Sequence, residues 1–240
     1  MILKNKISGE ETTLINERYY YLRKKEKLDN DPAALQLKRR YPIIHRMEQR
    51  SDEWIECRKG KMTASNSYTI SVGGKGLESY IYNILAEKYS ISNDEESYMS
   101  SDMIRGVEKE EQARMTYELQ YEEVEQVGFI EMNEYFGASP DGLIAQDGGQ
   151  EIKCVNNTNF FRIMADGESA IDKKYLWQVQ GCLLASGRKW WDLCFWNGNF
   201  ENNLIVFRIL PDLAMQEKLI VGIEKGKQLM IKLEAQLKSK

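Results

Sequence analysis

Apolar residues recur along the chain with two different periods, and the change from one to the other divides the sequence. Residues 12–30 (TTLINERYYYLRKKEKLDN) lack Gly and Pro and predict a basic, aromatic helix. Asp31-Pro32 supplies an N-cap followed by proline at the first helical position, which opens a second helix to about Arg40. Ser51-Asp52-Glu53-Trp54 predicts a further helix start, and residues 63–71 a short helix before the loop Gly73-Gly74-Lys75-Gly76. Tyr80, Ile81, Ile84, Leu85 and Tyr89 keep helical spacing over 77–89. Another helix is expected over 101–120, with Met103, Val107, Ala113 and Tyr117 as core contacts.

The period then falls to two. Alternation over 123–130 predicts a strand, and residues 136–145 and 150–155 read as two more, joined by the turn Gln146-Asp147-Gly148-Gly149. A helix follows from about Asp172 to Ser186, stopped by Gly187. Strands are expected over 190–196 and 204–210, with Asn197-Gly198-Asn199 as a hairpin signal between them. Asp212 caps a long terminal helix carrying Leu213, Leu219, Ile220, Ile223, Leu229 and Leu233. Helices, three strands, helix, two strands, helix is the order of an α/β protein with a sheet core and helices packed around it.

Composition narrows the class. A 240-residue chain with 42% hydrophobic and 29% charged residues is neither disordered nor fibrous and can bury a real core. No apolar run approaches the roughly 20 residues that span a bilayer, and MILKNKISGEETT has no stretch suited to a secretory signal. Cys57, Cys154, Cys182 and Cys194 lie far apart without a CxxC pair, so the expectation is a reduced, intracellular protein that is neither secreted nor membrane-bound. A single histidine, His45, argues against His-rich metal sites and Ser-His-Asp triads; no role is assigned to it.

A net charge of −4 would ordinarily speak against a nucleic-acid partner. Its distribution changes that. Residues 1–50 carry a net +5, residues 51–93 balance, residues 94–134 carry −10 and residues 135–240 carry +1. One acidic block therefore supplies the whole deficit. By itself such a block reads as a solvated helix face, and the rest of the chain is basic enough to meet a phosphate backbone.

The most informative stretch is Ser139-Pro140-Asp141-Gly142, followed by Glu151-Ile152-Lys153. Period-two spacing puts Glu151 and Lys153 on one face of their strand, and Asp141 joins them if the two strands pair. Two carboxylates and an ammonium on one sheet face are costly to bury unless they serve each other or a metal. Hard oxygen ligands suit Mg²⁺, or Mn²⁺, and a lysine beside bound water can orient it for attack on phosphorus. Glu-x-Lys alone is a weak signal, and an exposed hairpin with an ordinary ion pair is the plain alternative.

Five blocks in order remove most of that ambiguity. Trp54-x-x-x-Arg58 with Thr63-Ala64-Ser65, Gly106-Val107-Glu108-Lys109-Glu110 with Ala113, Gly137 to Leu143, Glu151-Ile152-Lys153-Cys154, and Tyr175-Leu176-Trp177-Gln178-Val179-Gln180 follow one another over about residues 50–196. In this the chain resembles the lambda exonuclease/YqaJ-like viral recombinase family of PD-(D/E)xK nucleases. The resemblance implies a restriction-endonuclease-like α/β core, with a central mixed β-sheet flanked by helices, over 50–210. It leaves 1–49 as a basic helical N-terminal extension and 211–240 as a C-terminal helix packed on the core. It implies that Asp141, Glu151, the main-chain carbonyl of Ile152 and Glu110 hold the metal, and that Lys153 positions or activates the attacking water. It further implies that Gln178 supports the site with Tyr175 one turn before it, and that Arg58, Ser65 and Ser139 bind the 5′-terminal phosphate of DNA.

The activity so implied is Mg²⁺-dependent hydrolysis of duplex DNA from its ends, 5′ to 3′, leaving 3′ single strands for recombination. A homotrimeric ring and a single-strand annealing protein as partner belong to the same implication. An endonuclease on the same core, or a DNA-binding module with a dead site, are the other readings; Asp141, Glu151 and Lys153 are all present. Relatives with an iron–sulfur cluster use clustered cysteines, and scattered ones argue against that cofactor here. Within the motifs, Glu108 and Glu111 compete with Glu110, and Gln180 with Gln178. Arg58 could instead pair with Glu53 or Glu56. Trp54, Trp177, Trp190 and Trp191 are expected to pack rather than to stack on bases. The extension, with its tyrosines 19–21, either touches DNA or a partner subunit, or packs as an added helical hairpin.

Overall fold

The structure is a computed structural model that describes residues 42–91 and 101–239, with the backbone alone described for 101–108. The helices expected over 12–30 and 32–40, and the side chains of Met103 and Val107, lie outside the described residues. β1 (Ile43–His45) leads to α1 (Asp52–Arg58), whose N-cap Ser51 accepts a hydrogen bond from the Trp54 N–H. β2 (Met62–Thr63) runs through a 3₁₀ turn (Ala64–Asn66) into α2 (Ser67–Val72), then α3 (Gly74–Tyr89) and α4 (Ser101–Gln120). Four strands follow, β3 (Phe129–Asn133), β4 (Phe136–Ala138), β5 (Gly142–Ile144) and β6 (Gly148–Cys154). The chain continues as α5 (Asn157–Asp166), α6 (Lys173–Ser186), β7 (Trp190–Trp196), β8 (Leu204–Ile209) and α7 (Leu213–Lys238). Asp212 caps α7 as expected, Asp172 at the expected start of α6 proves to be its N-cap, and Gly187 ends α6 in the left-handed region.

The strands form two mixed four-stranded sheets, in the orders β1-β3-β4-β2 and β5-β6-β7-β8. The single strand expected over 136–145 is broken. β4 belongs to the first sheet and β5 to the second, and Ser139-Pro140-Asp141 make the passage between them. Proline has no N–H for a ladder, so the chain leaves one sheet there and enters the other. Asp141 consequently sits at the passage and not on a strand. The strand expected over 123–130 begins only at Phe129, and Glu125 makes an isolated bridge to Leu143. α5 is not among the expected elements: exposed Phe161 and Met164 stand next to buried Phe160 and Ile163 and blur its apolar stripe.

β6 lies inside the second sheet, antiparallel to β5 and parallel to β7, with Glu151 beside Leu193 and Lys153 beside Phe195. Leu193 and Phe195 pack into the larger core with Val179 and Leu183 of α6, whereas Cys194 and Trp196 pack with Ala113 and Tyr117 of α4. Period-two alternation thus sends Glu151 and Lys153 toward α6, and Ile152 toward α4. Close approach fixes the helices around this sheet. A Cβ on Gly181 of α6 would collide with Ser67 and Ala64, and one on Gly222 of α7 with the Ile70 carbonyl.

Candidate active site

Lys153 Nζ donates to Glu151 Oε1 at 2.7 Å and to Gln178 Oε1 at 3.1 Å. The Gln178 amide in turn donates to the same Glu151 oxygen. Asp141 closes the group from the sheet passage, its Oδ2 accepting the Ile152 N–H. The face predicted from the Glu-x-Lys spacing therefore exists, and α6 supplies its fourth member. Tyr175, one turn before Gln178, lies with its ring 5.0 Å from Lys153 Nζ. Gln180 is elsewhere: it is buried, accepts from the Asp212 N–H and donates to the Leu210 carbonyl, tying α6 to the start of α7.

Three carboxylates act on this site. Burial, then the charges of Glu151 and Glu110, push the Asp141 carboxyl well above the usual range, with Lys153 and the Ile152 N–H pulling only part of the way back. Burial also raises Glu151, whose main relief is Lys153. For Lys153, burial acts to lower its pKa, but the charges of Glu151 and Asp141 outweigh it and hold the ammonium above the ordinary lysine value. Held in this way as a cation beside the carboxylates, Lys153 can hold and polarise water or a phosphate oxygen by donating hydrogen bonds. Glu110 reaches the site from α4 through its field on Asp141 and Glu151, and its own partner is Arg50, at 3.4 Å. Glu111 is exposed, and the Glu108 side chain lies outside the described residues. Burial and the charges of Glu110 and Asp141 push the Cys154 thiol up to about 12, which excludes it as a nucleophile.

A second cluster stands next to the first along the chain. The Arg58 guanidinium stacks on the Trp54 ring, 3.9 Å from its centroid, and has no carboxylate partner among the described residues. Glu56 pairs with Lys59 instead. Trp54 Nε1 donates to Ser139 Oγ and to the Gly128 carbonyl, both at 3.0 Å. Burial lowers the Arg58 pKa, and the fields of Tyr80 and Glu87 offset only part of that, the sign of a partly desolvated cation without a close ion pair. Ser65 is exposed in the 3₁₀ turn and shares a hydrogen bond with Thr63 Oγ1 at 3.0 Å. The Tyr80 hydroxyl holds that turn, accepting the Thr63 N–H at 3.0 Å. In the sequence Tyr80 reads only as an apolar helix position. A tyrosine at a buried position requires a polar partner, and that requirement was the available signal.

Residues 53–189 match the family model described as a YqaJ-like viral recombinase domain, more than half of the chain. The chain belongs to that family. Solved structures similar to this YqaJ-like chain include an alkaline exonuclease from Laribacter hongkongensis, with 25% identity and a TM-score of 0.70 over 79% of this chain and 97% of that one. The same exonuclease in complex with dAMP gives 26% identity and a TM-score of 0.69, with the same shares covered. A phage-related exonuclease from Haemophilus somnus 129PT matches in fold at 12% identity, with a TM-score of 0.58 over 76% of this chain and 99% of that one. No curated protein sequence matches the chain. The fold is thus restriction-endonuclease-like, and family and neighbours together make the chain a nuclease of the exonuclease type. No helix among the described residues is long and apolar enough to cross a membrane.

Nucleases of this kind generally depend on a metal, and the residues can be tested for one. Among the described residues no group of three or more His, Cys, Asp or Glu side chains is gathered closely enough to count as a ligand set. The donor chemistry nevertheless fits a hard divalent cation. Glu151 Oε2 is buried without a hydrogen-bond partner among the described residues, and Asp141 stands under fields of Glu151 and Glu110 that Lys153 and the Ile152 N–H offset only in part. A buried, unpartnered carboxylate oxygen is a standing cost that a cation removes.

Proposed function

We propose that this chain is a divalent-cation-dependent deoxyribonuclease, using Mg²⁺ or Mn²⁺, that digests linear duplex DNA from 5′-phosphorylated ends in the 5′ to 3′ direction. Its product is a duplex with 3′ single strands suited to recombination. The observation that carries this reading is the junction of the two clusters. Ser139, which shares Trp54 with Arg58, is two residues from Asp141, a separation of at most about 7 Å along the chain. A terminal phosphate held by Arg58, Ser65 and Ser139 puts the next phosphodiester of the same strand beside Asp141. Arginine is the preferred bidentate phosphate ligand, and the serine hydroxyls add neutral donors. The related exonuclease that holds dAMP supports a product released one nucleotide at a time.

Asp141, Glu151 and Glu110, with the Ile152 carbonyl, would hold the cation, which would supply charge neutralisation and Lewis-acid polarisation at the phosphate. The other roles belong to the chain itself. Lys153, fixed by Glu151 and Gln178, donates a hydrogen bond to the attacking water or to a non-bridging phosphate oxygen. Gln178 holds both Glu151 and Lys153 and so sets the spacing of carboxylate and ammonium. Tyr175 walls the ammonium on the other side.

The test uses three substrates in Mg²⁺: a 5′-phosphorylated linear duplex, its 5′-hydroxyl counterpart and a covalently closed circle. The phosphorylated duplex is expected to be digested fastest and the circle to survive. Arg58→Ala should erase the preference for the phosphate, about 10- to 100-fold, the worth of one charged hydrogen-bond pair. Cutting of the circle at the linear rate would replace this reading with an endonuclease. Equal rates on the two linear ends would remove Arg58 from the phosphate.

A further inference from the structure

Arg50 stands at φ +71°, in the left-handed region that a residue with a Cβ adopts only against steric resistance. Glycine would take this turn without strain, so the backbone alone gives no reason for a long cationic side chain. What the side chain does is visible. Its guanidinium Nη2 lies 3.4 Å from Glu110 Oε2, and the two side chains are 56% and 30% exposed. That distance is too long for a strong charge-assisted hydrogen bond, so the contact is one that can be given up.

The mount is firmer than the contact. Gln49, the preceding residue, donates its amide to the Pro140 carbonyl at 2.7 Å and to the Val127 carbonyl at 3.0 Å. Two arginines are thus hung on the same short passage between the sheets. Arg58 is held through Trp54 and Ser139, and Arg50 through Gln49 and Pro140, the residue before Asp141.

We infer that Arg50 is a DNA-backbone ligand of the active site, parked on Glu110 in the free protein and transferred to a phosphate when cation and DNA enter. The inference rests on the proposed nuclease function. Glu110 cannot serve a metal and Arg50 at full strength together, since the incoming cation takes over the carboxylate's charge. The released guanidinium stays at the rim of the site on a fixed turn, where a strand running past Asp141 brings its phosphates. Planar and permanently charged, it binds a phosphate through two donors.

Arg50→Gly and Arg50→Lys in the full chain test this with readouts other than turnover. Binding of a 5′-phosphorylated duplex is followed by fluorescence anisotropy in Ca²⁺ across a salt series, Mn²⁺ binding by calorimetry without DNA, and folding by thermal midpoint. Arg50→Gly is expected to weaken DNA binding about 5- to 50-fold and to lower the slope of log K against log salt by about 1. Its Mn²⁺ binding should be as tight as wild type or tighter, and its midpoint unchanged or raised, because glycine relieves the turn. Arg50→Lys should restore the slope but not the full affinity. Wild-type DNA affinity and slope in Arg50→Gly overturn the inference. Weakened Mn²⁺ binding with an unchanged slope also overturns it, since Arg50 would then only hold Glu110. Failure of the wild-type protein itself to bind the duplex removes the proposed function, and the inference with it.

Discussion

Removing the Lys153 ammonium, as in Lys153→Met, separates the structural from the chemical role of the buried pair. Glu151 is 3% and Lys153 19% exposed at the side chain, and their charged atoms are 2.7 Å apart. At an effective dielectric constant of about 20, that separation corresponds to a Coulomb attraction of about 6 kcal/mol. Desolvating the two ions costs several kcal/mol each, so the intact pair adds little net stability; losing one partner is what costs, at about 3–5 kcal/mol. Protonation of Glu151, already favoured by its burial, limits the loss to the lower end of that range. Lys153→Met should therefore lose about 3 kcal/mol in urea unfolding without metal, or about 6–12 °C in midpoint for a domain this size. Mg²⁺ should return part of that stability by supplying the missing positive charge, while hydrolysis stays lost. In the double variant Glu151→Gln/Lys153→Met the Glu151 charge is removed together with its ammonium partner, so its destabilisation should be well below the sum of the singles. Additive losses, each below about 1 kcal/mol, would refute the view that the two residues form one electrostatic unit.

Other parts of the molecule yield sharp expectations. Tyr117 donates to buried Asp192 at 2.6 Å while Arg208 holds both oxygens of that carboxylate at 2.8 Å; Tyr117→Phe should cost about 1.5 kcal/mol in urea unfolding, whereas Arg208→Met, which leaves Asp192 uncompensated, should cost about 3–5 kcal/mol. Gly181→Ala forces α6 away from Ala64 and Ser67 and should lose about 1–3 kcal/mol by the same measurement. Hydrogen bonding to Lys88, then to Tyr89, holds Glu234 below the usual carboxylate range, so its contribution is present above the unfolded pKa of about 4.3 and is lost as pH falls through the lower folded value. The pair is partly exposed, and Glu234→Gln should cost about 0.5 kcal/mol at pH 7, with the gap to wild type closing below about pH 4 in denaturation curves.

How far the sequence discloses this molecule depends on how local each cause is. Ser51, Asp172, Asp212 and Gly187 end helices through contacts within four residues, and all were legible. The Glu151–Lys153 face was legible because a strand's alternation is built into its backbone. The break at Pro140 was not, although proline announced some interruption. Which sheet receives β4 and which β5 depends on the pairing of β4 with β2 and of β6 with β7, residues distant in sequence. Gln178 is the instructive middle case. Nothing in α6 says that its amide meets Lys153, and only the ordered motifs of the family pointed to it ahead of Gln180. Geometry then separated the two glutamines, one in the site and one clasping the start of α7.

Charge is where sequence and structure correct each other most. The acidic stretch 94–134 looks in the sequence like surplus, a solvated face set apart from a basic amino-terminal segment. In the structure three of its acids contact residues just before α1: Glu131 hydrogen-bonds His45 at 3.0 Å, Glu125 pairs with Arg46 at 2.8 Å, and Glu110 with Arg50 at 3.4 Å. Two of these contacts are short and hold β1 and its turn against β3 and the segment before it. The third is long, strained in its backbone and placed at the carboxylates of the candidate site. The loosest of them is the contact of Glu110, the carboxylate whose field acts on Asp141, and it is the one proposed above to exchange its carboxylate for a phosphate.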